Sequence, residues 1–211
     1  MYTLYFSPGS CSLVIHCLLE ELRVPFQLKR VDLDSGEHHG PEYRRVNPKG
    51  KVPALATPEG VLTECVAIIG YLCDAYDDGK LLARHGTWQR SRTMEQVATL
   101  ATEVHPLFNR FFHADDFADS KQACAAVKAR GIEKLLAYFR EQDANLVHEY
   151  WSGDSMTVAD FYFMVAARWG RWLEPPANEM KNIRAFYERM IARPAVARAF
   201  AAEGIKPFGT T

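Results

Sequence analysis

The spacing of the apolar residues changes once along this 211-residue chain, and that change limits the folds it can adopt. In the first part, short apolar runs of strand length alternate with helical patterns. From Thr87 onward only the helical period recurs, interrupted by breaks such as Pro194. These patterns predict a small α/β domain over residues 1–79, a linker near 78–86 and an all-helical domain over residues 87–211.

The first domain is predicted to contain four strands in one mixed sheet. Strand patterns cover Thr3–Phe6, Phe26–Val31, Val52–Thr57 and Val61–Thr63. Helical patterns cover Ser12–Leu22 and the stretch from Cys65 to Tyr76, with an irregular segment at Asp34–Arg45. This order of elements fits a mixed sheet covered by helices on both faces.

In the second domain only helices are predicted, arranged as a helical bundle. Their periodicity covers Thr87 to about Phe112, Ser120 to about Asn145, Thr157–Trp172, Ile183–Ala192 and Ala195–Ala202.

Composition and cysteine usage exclude several classes of protein. The formal net charge is −1 and no basic tract is present, which argues against a nucleic-acid partner. No apolar run approaches the length of a membrane span, and the N-terminus lacks the features of a secretory signal. The five cysteines are odd in number and widely spaced, so neither a disulfide framework nor a zinc site is expected. The chain is interpreted as a cytoplasmic protein without a metal.

Cys11, within Ser-Pro-Gly-Ser-Cys-Ser, is predicted to lie at the start of the first helix. Unpaired backbone N–H groups and the positive end of the helix dipole favour a thiolate over a thiol at such a position. The position therefore indicates a cysteine with chemical rather than purely structural importance.

Two further segments point to the same chemistry. Pro53 heads a strand and has no N–H for pairing, which leaves the backbone of Val52 free, and a cis bond is expected there. Glu64 and Cys65 start a helix, where free N–H groups suit a carboxylate and the Glu64 side chain suits an ammonium. The plainer alternatives are an edge-strand proline and a helix-start carboxylate. Together with Cys11, these features predict a site for an anionic, thiol-containing peptide.

Four segments, in order, resemble the cytosolic glutathione transferases, most closely the bacterial beta class. They are Ser7–Ser12, Val46–Leu55, Leu62–Ile68 and Ala101–His105, and the similarity covers essentially the whole chain. The resemblance implies a thioredoxin-like N-terminal domain, a helical C-terminal domain and a homodimer. It also implies an enzyme that conjugates its co-substrate glutathione to hydrophobic electrophiles.

The resemblance assigns the glutathione site residue by residue. Cys11 would face the glutathione sulfur and form a mixed disulfide with it, which implies a second activity in thiol–disulfide exchange. Catalytic roles are implied for Cys11 and His105. The glutathione-binding residues would be Cys11, Lys51, Val52, Pro53, Glu64, Cys65, Thr102, Glu103 and His105. Of these, Thr102 and Glu103 would approach the glutathione of the partner subunit.

The helical domain is expected to supply the wall for the electrophile. Most of its aromatic side chains recur at core spacing, but four are candidates for an open apolar pocket: Phe108, Phe112, Trp169 and Trp172. His105 is either catalytic or a histidine satisfied between the domains. Thr157 and Asp160 match the capping box of the family, in which each side chain accepts a backbone N–H.

The chain departs from the family pattern at several positions. Cys65 stands where serine or another small residue is common, and a thiol is the weaker hydrogen-bond donor. Pro106 is expected to kink its helix, because it cannot donate one helical hydrogen bond. Phe6 lies near the position of the catalytic tyrosine of other classes. Ser12 is therefore an alternative to Cys11 as the catalytic group that activates glutathione.

Two other functions fit the same sequence. One is a glutathione-dependent peroxidase, dehalogenase or isomerase built on the same fold. The other is a non-catalytic, transferase-like interaction protein. The joint presence of Cys11, Val52-Pro53 and Glu64 favours an enzyme, because a purely structural relative has no need for all three.

Overall fold

The computed structural model describes residues 1–207, which form two compact units. The first unit holds residues 1–87 together with the chain from Ile191 onward, and the second holds Trp88–Met190. Among the described residues, no helix combines the length and the apolar character needed to cross a membrane.

The first unit is built on a four-stranded sheet with the strand order β2-β1-β3-β4. The strands are β1 Tyr2–Phe6, β2 Phe26–Arg30, β3 Ala54–Thr57 and β4 Gly60–Thr63. Strand β1 is parallel to β2 and antiparallel to β3, and β3 is antiparallel to β4. The predicted mixed sheet is confirmed, although Val52 and Pro53 lie just before β3 rather than within it.

Helices account for most of the remaining described residues. Their bounds are α1 Ser12–Glu21, α2 Pro41–Val46, α3 Cys65–Tyr76, α4 Trp88–Thr99, α5 His105–Phe112, α6 Lys121–Asn145, α7 Val158–Trp169, α8 Lys181–Ile191 and α9 Pro194–Glu203. Apart from their ends, most of these helices agree with the predicted ones. Helix α2 lies in the segment predicted to be irregular, and α4 and α5 divide the single helix predicted from Thr87 to about Phe112. Between Trp88 and Met190, the only β pairing is an isolated bridge between Tyr150 and Gly153.

Strand β1 shows how helices cover both faces of the sheet. Its side chains alternate, and the ring of Phe6 contacts His16 of α1 at a centroid distance of 6.1 Å. Tyr5 points to the opposite face, where its ring lies 5.8 Å from that of Tyr43 in α2. The two-residue period of the strand therefore directs neighbouring side chains into two different helix layers.

Helix α9 groups with the first unit, although residues 87–211 were predicted to form one helical domain. Its apolar side chains Val196 and Phe200 are buried, and the helix packs against α1. Arg198 pairs with Glu20 of α1 at 2.5 Å. The apolar face of α9 is buried against α1. The helical period of α9 alone does not reveal this pairing. Residues 208–211 of that predicted domain lie outside the described residues.

The long helix predicted from Thr87 to Phe112 contains a π-helical turn. Leu100–Val104 adopt this wider turn between α4 and α5, and Pro106 follows directly in the first turn of α5. A π turn is one of the ways in which a helix accommodates a disrupted hydrogen-bond ladder. The irregularity expected at Pro106 therefore appears as a π turn immediately before it.

Helix α7 forms the core of the second unit and is buried along its whole length. The predicted capping box is present at its start. Thr157 Oγ1 accepts the N–H of Ala159 at 3.2 Å, and the Asp160 carboxylate accepts the N–H of Thr157 at 2.7 Å. Asp160 also accepts the N–H of Ser152 at 3.2 Å. Burial raises the pKa of Asp160, and these hydrogen bonds oppose that shift.

Replacing Asp160 should destabilise the protein more than removing an exposed helix cap. Asp160→Ala leaves several buried donors without an acceptor, so we expect the free energy of unfolding to fall by about 3 kcal/mol. Urea denaturation followed by circular dichroism measures this loss. Ser120→Ala removes the exposed cap of α6 and should cost only about 1 kcal/mol. Equal losses of unfolding free energy in the two variants would show that the hydrogen bonds of the Asp160 carboxylate contribute no more than an exposed helix cap.

Candidate functional site

Cys11 is the N-cap residue of α1, at the helix start where its position in the sequence predicts it. It is 9% exposed, and its thiol donates to the carbonyl oxygen of Val52, with an Sγ–O distance of 3.3 Å. This contact joins the loop before α1 to the segment that precedes β3. The sulfur therefore lies next to the backbone that the sequence singles out for binding an extended peptide.

The Val52–Pro53 peptide bond is cis, as expected. The carbonyl oxygen of Val52 faces the Cys11 thiol, whereas its N–H has no hydrogen-bond partner within residues 1–207. Val52 is half-buried and Pro53 is buried. A backbone donor of this kind is available to a peptide ligand.

The loop before Val52 is held by two side chains that the sequence analysis did not single out. The Tyr43 hydroxyl and the Asn47 Nδ2 both donate to the carbonyl oxygen of Lys51, at 2.7 and 2.6 Å. Both side chains are buried, and burial raises the pKa of Tyr43 to about 12, so its hydroxyl remains a donor at neutral pH. These two hydrogen bonds hold the backbone of Lys51, and its side chain is exposed.

Helix α3 begins at Cys65 with free backbone donors. Its first helical hydrogen bond runs from the N–H of Ile68 to the carbonyl oxygen of Glu64, at 3.0 Å. The N–H groups of residues 65–67 are therefore left outside the helical pattern, which is an arrangement that suits an anion. Glu64 has φ 71°, a strained value for a residue with a side chain, of a kind that clusters at ligand sites.

The Glu64 carboxylate is exposed and forms an ion pair with Lys49, with Nζ 2.8 Å from Oε1. Lys49 Nζ also lies 3.2 Å from the hydroxyl of Thr63. Exposed ion pairs contribute at most about 1 kcal/mol, so this pair is easily exchanged for another cation. A ligand ammonium can therefore replace Lys49 at little cost.

The Cys65 thiol connects the starts of α1 and α3. It is 7% exposed and donates to the carbonyl oxygen of Cys11, at an Sγ–O distance of 3.6 Å. Its contact with Cys11, followed by burial, raises the pKa of Cys65 well above its usual value. Cys65 is therefore a neutral thiol in the resting protein.

Glu203, near the end of α9, is a site residue that the sequence analysis missed. Its Oε2 accepts the N–H of Gly9 at 2.8 Å, and its Oε1 lies 2.8 Å from Nδ1 of His16. The side chains of Glu203 and His16 are both fully buried. A negative charge in the last turn of a helix is unfavourable, because that end of the helix dipole is also negative. The position of Glu203 was therefore the sequence signal for a specific partner.

Ser12 is fully buried, and its hydroxyl is engaged within the loop between β1 and α1. Its Oγ accepts the N–H of Ser7 at 3.2 Å, donates to the Ser7 carbonyl oxygen at 3.2 Å and lies 2.8 Å from Ser10 Oγ. These contacts shape the loop that presents Cys11. They leave the Ser12 hydroxyl directed into the protein.

Three polar candidates lie in the second unit. Nδ1 of His105 lies 3.1 Å from the hydroxyl of Tyr162, and the His105 ring is 4.9 Å from that of Trp169. Thr102 and Glu103 are exposed within the π turn, and the Thr102 hydroxyl donates to the backbone of the preceding turn. His105 is therefore held by aromatic neighbours, whereas Thr102 and Glu103 face solvent.

The four aromatic candidates of the second unit divide into two pairs. Phe108 is 1% exposed and packs against Phe139, and Trp169 is buried beside it, with ring centroids 5.3 Å apart. Phe112 and Trp172 are 44% and 59% exposed. The first pair belongs to the core of the unit, and the second pair is available to a ligand.

Known proteins are similar to this chain over most of its length. The family model for the glutathione S-transferase N-terminal domain matches residues 1–74, and that for the C-terminal domain matches residues 98–194. Glutathione S-transferase GstA of Escherichia coli O157:H7 is 39% identical over 206 residues, which cover 96% of this chain and 99% of that protein.

Two solved structures are similar over nearly the whole chain. The bacterial beta class glutathione S-transferase of Sphingomonas chungbukensis superposes with a TM-score of 0.82 at 33% identity, covering 97% of this chain and 100% of that one. A glutathione transferase homologue from Sulfitobacter with bound glutathione superposes with a TM-score of 0.87 at 27% identity, covering 98% and 99%.

Removing the Glu203 carboxylate should destabilise the first unit. We expect Glu203→Ala to lower the free energy of unfolding by about 3–5 kcal/mol, because Gly9 and His16 lose a buried acceptor. Glu203→Gln should cost less, since an amide oxygen can still accept the N–H of Gly9. Urea denaturation measures both losses.

The control for this prediction is Glu188→Ala, which removes an exposed carboxylate paired with Arg184. It should change the unfolding free energy by less than about 1 kcal/mol. If Glu203→Ala cost no more than Glu188→Ala, the buried carboxylate would not be holding the loop.

Proposed function

Because the chain belongs to the glutathione S-transferase family, we propose that it binds glutathione in its first unit and conjugates the thiol to hydrophobic electrophiles. The observation that carries this proposal is the meeting of three groups at one place. The Cys11 thiol donates to the carbonyl oxygen of Val52 at 3.3 Å. The Cys65 thiol, at the start of α3, donates to the carbonyl oxygen of Cys11 at 3.6 Å. A sulfur site, a peptide-binding backbone and an anion site are thereby adjacent.

Each part of glutathione has a complementary group in this arrangement. The free N–H of Val52 suits the carbonyl of the cysteinyl residue, and the N–H groups at the start of α3 suit the γ-glutamyl carboxylate. Glu64 suits the ammonium of the same residue, once Lys49 has been displaced. The exposed side chain of Lys51 suits the second carboxylate, and the buried Pro53 holds the segment in shape.

The glutathione sulfur is activated as a thiolate beside Cys11. The start of α1 contributes its dipole, and the Cys11 thiol contributes a hydrogen bond when it turns from the Val52 carbonyl oxygen to the glutathione sulfur, each of which favours the anion. Every tenfold gain in the thiolate population corresponds to about 1.4 kcal/mol. Ser12 acts on this site by shaping the loop, because its hydroxyl is already engaged. The thiolate then attacks the electrophilic carbon, and the leaving group departs with its electron pair.

The electrophile is proposed to contact the exposed aromatic side chains of the helical unit, Phe112 and Trp172. Phe108 and Trp169 support that surface from the core. His105 is proposed as a second polar group of the catalytic machinery, with its ring fixed by Tyr162.

The proposal includes a homodimer in a reducing, cytoplasmic setting. Thr102 and Glu103 are exposed, which suits the proposed contact with the glutathione of the partner subunit. All five cysteines are free, which suits a compartment that keeps thiols reduced. A second activity, thiol–disulfide exchange, is favoured by the position of Cys11 beside the proposed sulfur site.

Glu64→Ala should weaken glutathione binding at least tenfold, because the ligand ammonium loses its counter-charge. Isothermal titration calorimetry with reduced glutathione measures the change, and retention on immobilised glutathione should be lost in parallel. Glu42→Ala removes another exposed carboxylate of the same unit and should bind as the unmodified protein does. Unchanged affinity in Glu64→Ala would exclude the start of α3 as the γ-glutamyl site.

Cys11→Ala should abolish the mixed disulfide with glutathione and slow conjugation. Loss of one hydrogen bond to a charged sulfur costs about 1.5–3 kcal/mol, so kcat/KM for an aryl halide electrophile should fall roughly tenfold to a hundredfold. Steady-state kinetics and intact-protein mass spectrometry give the two readouts, with Cys124→Ala as the matched control. Unchanged conjugation would assign activation of the thiol to another donor.

A further inference from the structure

Two cysteines of the first unit lie side by side at the starts of two different helices. Cys11 precedes α1 and Cys65 begins α3, and the Cys65 Sγ lies 3.6 Å from the carbonyl oxygen of Cys11. The Cys11 Sγ in turn donates to the carbonyl oxygen of Val52 at 3.3 Å. A disulfide between the two cysteines requires their Cβ atoms to lie about 4 Å apart.

The other cysteines have different surroundings. Cys17 and Cys73 are buried within helices α1 and α3, and burial raises the pKa of Cys17 well above its usual value. The Cys124 thiol belongs to the second unit and donates to the carbonyl oxygen of Ala118 at 3.1 Å. Cys65 is thus the thiol that the structure provides next to Cys11.

We propose that Cys65 resolves a mixed disulfide between Cys11 and glutathione, so that the protein is also a dithiol oxidoreductase that acts on glutathione disulfides. This inference rests on the proposed glutathione site at Cys11. It uses Cys65, which stands where the resemblance to the family leads us to expect serine or another small residue.

The exchange balances in two steps. After losing its proton to solvent, Cys11 attacks glutathione disulfide as a thiolate, a Cys11–glutathione disulfide forms, and one glutathione leaves as a thiolate. The Cys65 thiolate, after losing its proton to solvent, then attacks the Cys11 sulfur. The Cys11–Cys65 disulfide forms and the second glutathione leaves with the electron pair. The protein dithiol is oxidised, and one glutathione disulfide is reduced to two thiols.

The local electrostatics place these steps in the correct order. In the resting protein, the contact with the Cys11 side chain, followed by burial, raises the pKa of Cys65. Once Cys11 is part of a disulfide, its sulfur carries no charge and that influence weakens. The contact with Cys11 therefore raises the pKa of Cys65 less once Cys11 has reacted, which favours attack by Cys65 after the mixed disulfide has formed.

Intact-protein mass spectrometry with glutathione disulfide as the probe tests the inference. The reduced protein, Cys65→Ser, Cys11→Ser and the control Cys124→Ser are each mixed with excess glutathione disulfide and quenched in acid. We expect the unmodified protein and Cys124→Ser to form an internal disulfide, with peptide mapping joining Cys11 to Cys65. Cys65→Ser should instead accumulate one glutathione on Cys11, and Cys11→Ser should acquire neither modification.

The outcomes separate this inference from the proposed function. If the unmodified protein holds glutathione on Cys11 to the same extent as Cys65→Ser, the resolving role is wrong and the glutathione site stands. If neither protein gains a glutathione or an internal disulfide, the resolving role and thiol–disulfide exchange at Cys11 are both wrong, whereas glutathione binding and conjugation fail only if calorimetry with reduced glutathione shows no binding. Cys65→Ala serves as a second variant, and circular dichroism checks that each variant is folded.

Discussion

The buried contact between Glu203 and the loop that precedes α1 is the interaction on which the candidate site depends. One carboxylate accepts the N–H of Gly9 and pairs with His16, at 2.8 Å in both cases. A buried carboxylate is costly unless its oxygens are satisfied, and here each oxygen has a partner. Helix α9 thereby fixes the loop that presents Cys11, which explains why α9 belongs to the first unit.

The second constraint is the approach of two helix starts. The starts of α1 and α3 both carry partial positive charge, and the thiols of Cys11 and Cys65 lie where they meet. Two positive ends repel each other unless negative charge lies between them. An anionic sulfur or the carboxylate of a peptide supplies that charge. The proposed binding site and the proposed thiol pair therefore rest on the same electrostatic arrangement.

Much of the fold was predictable, because its signals are local. Helix α3 has the predicted bounds Cys65–Tyr76, and the cis bond at Val52–Pro53 lies where a strand-leading proline indicated it. Local signals were less informative where the backbone adapts to an irregularity. A π turn precedes Pro106. Its one extra residue accommodates the backbone N–H that proline lacks. The helical period cannot distinguish that adjustment from a kink.

The sequence by itself determined the type and order of the elements and the position of Cys11 at a helix start. These properties depend on residues a few positions apart, through periodicity, turns and caps. Only the tertiary structure decided that Glu203 satisfies Gly9, that Ser12 faces inward, and that Phe108 is buried while Trp172 is exposed. Such outcomes depend on which faces pack together, and residues distant in the chain meet only after the helices and the sheet have come together.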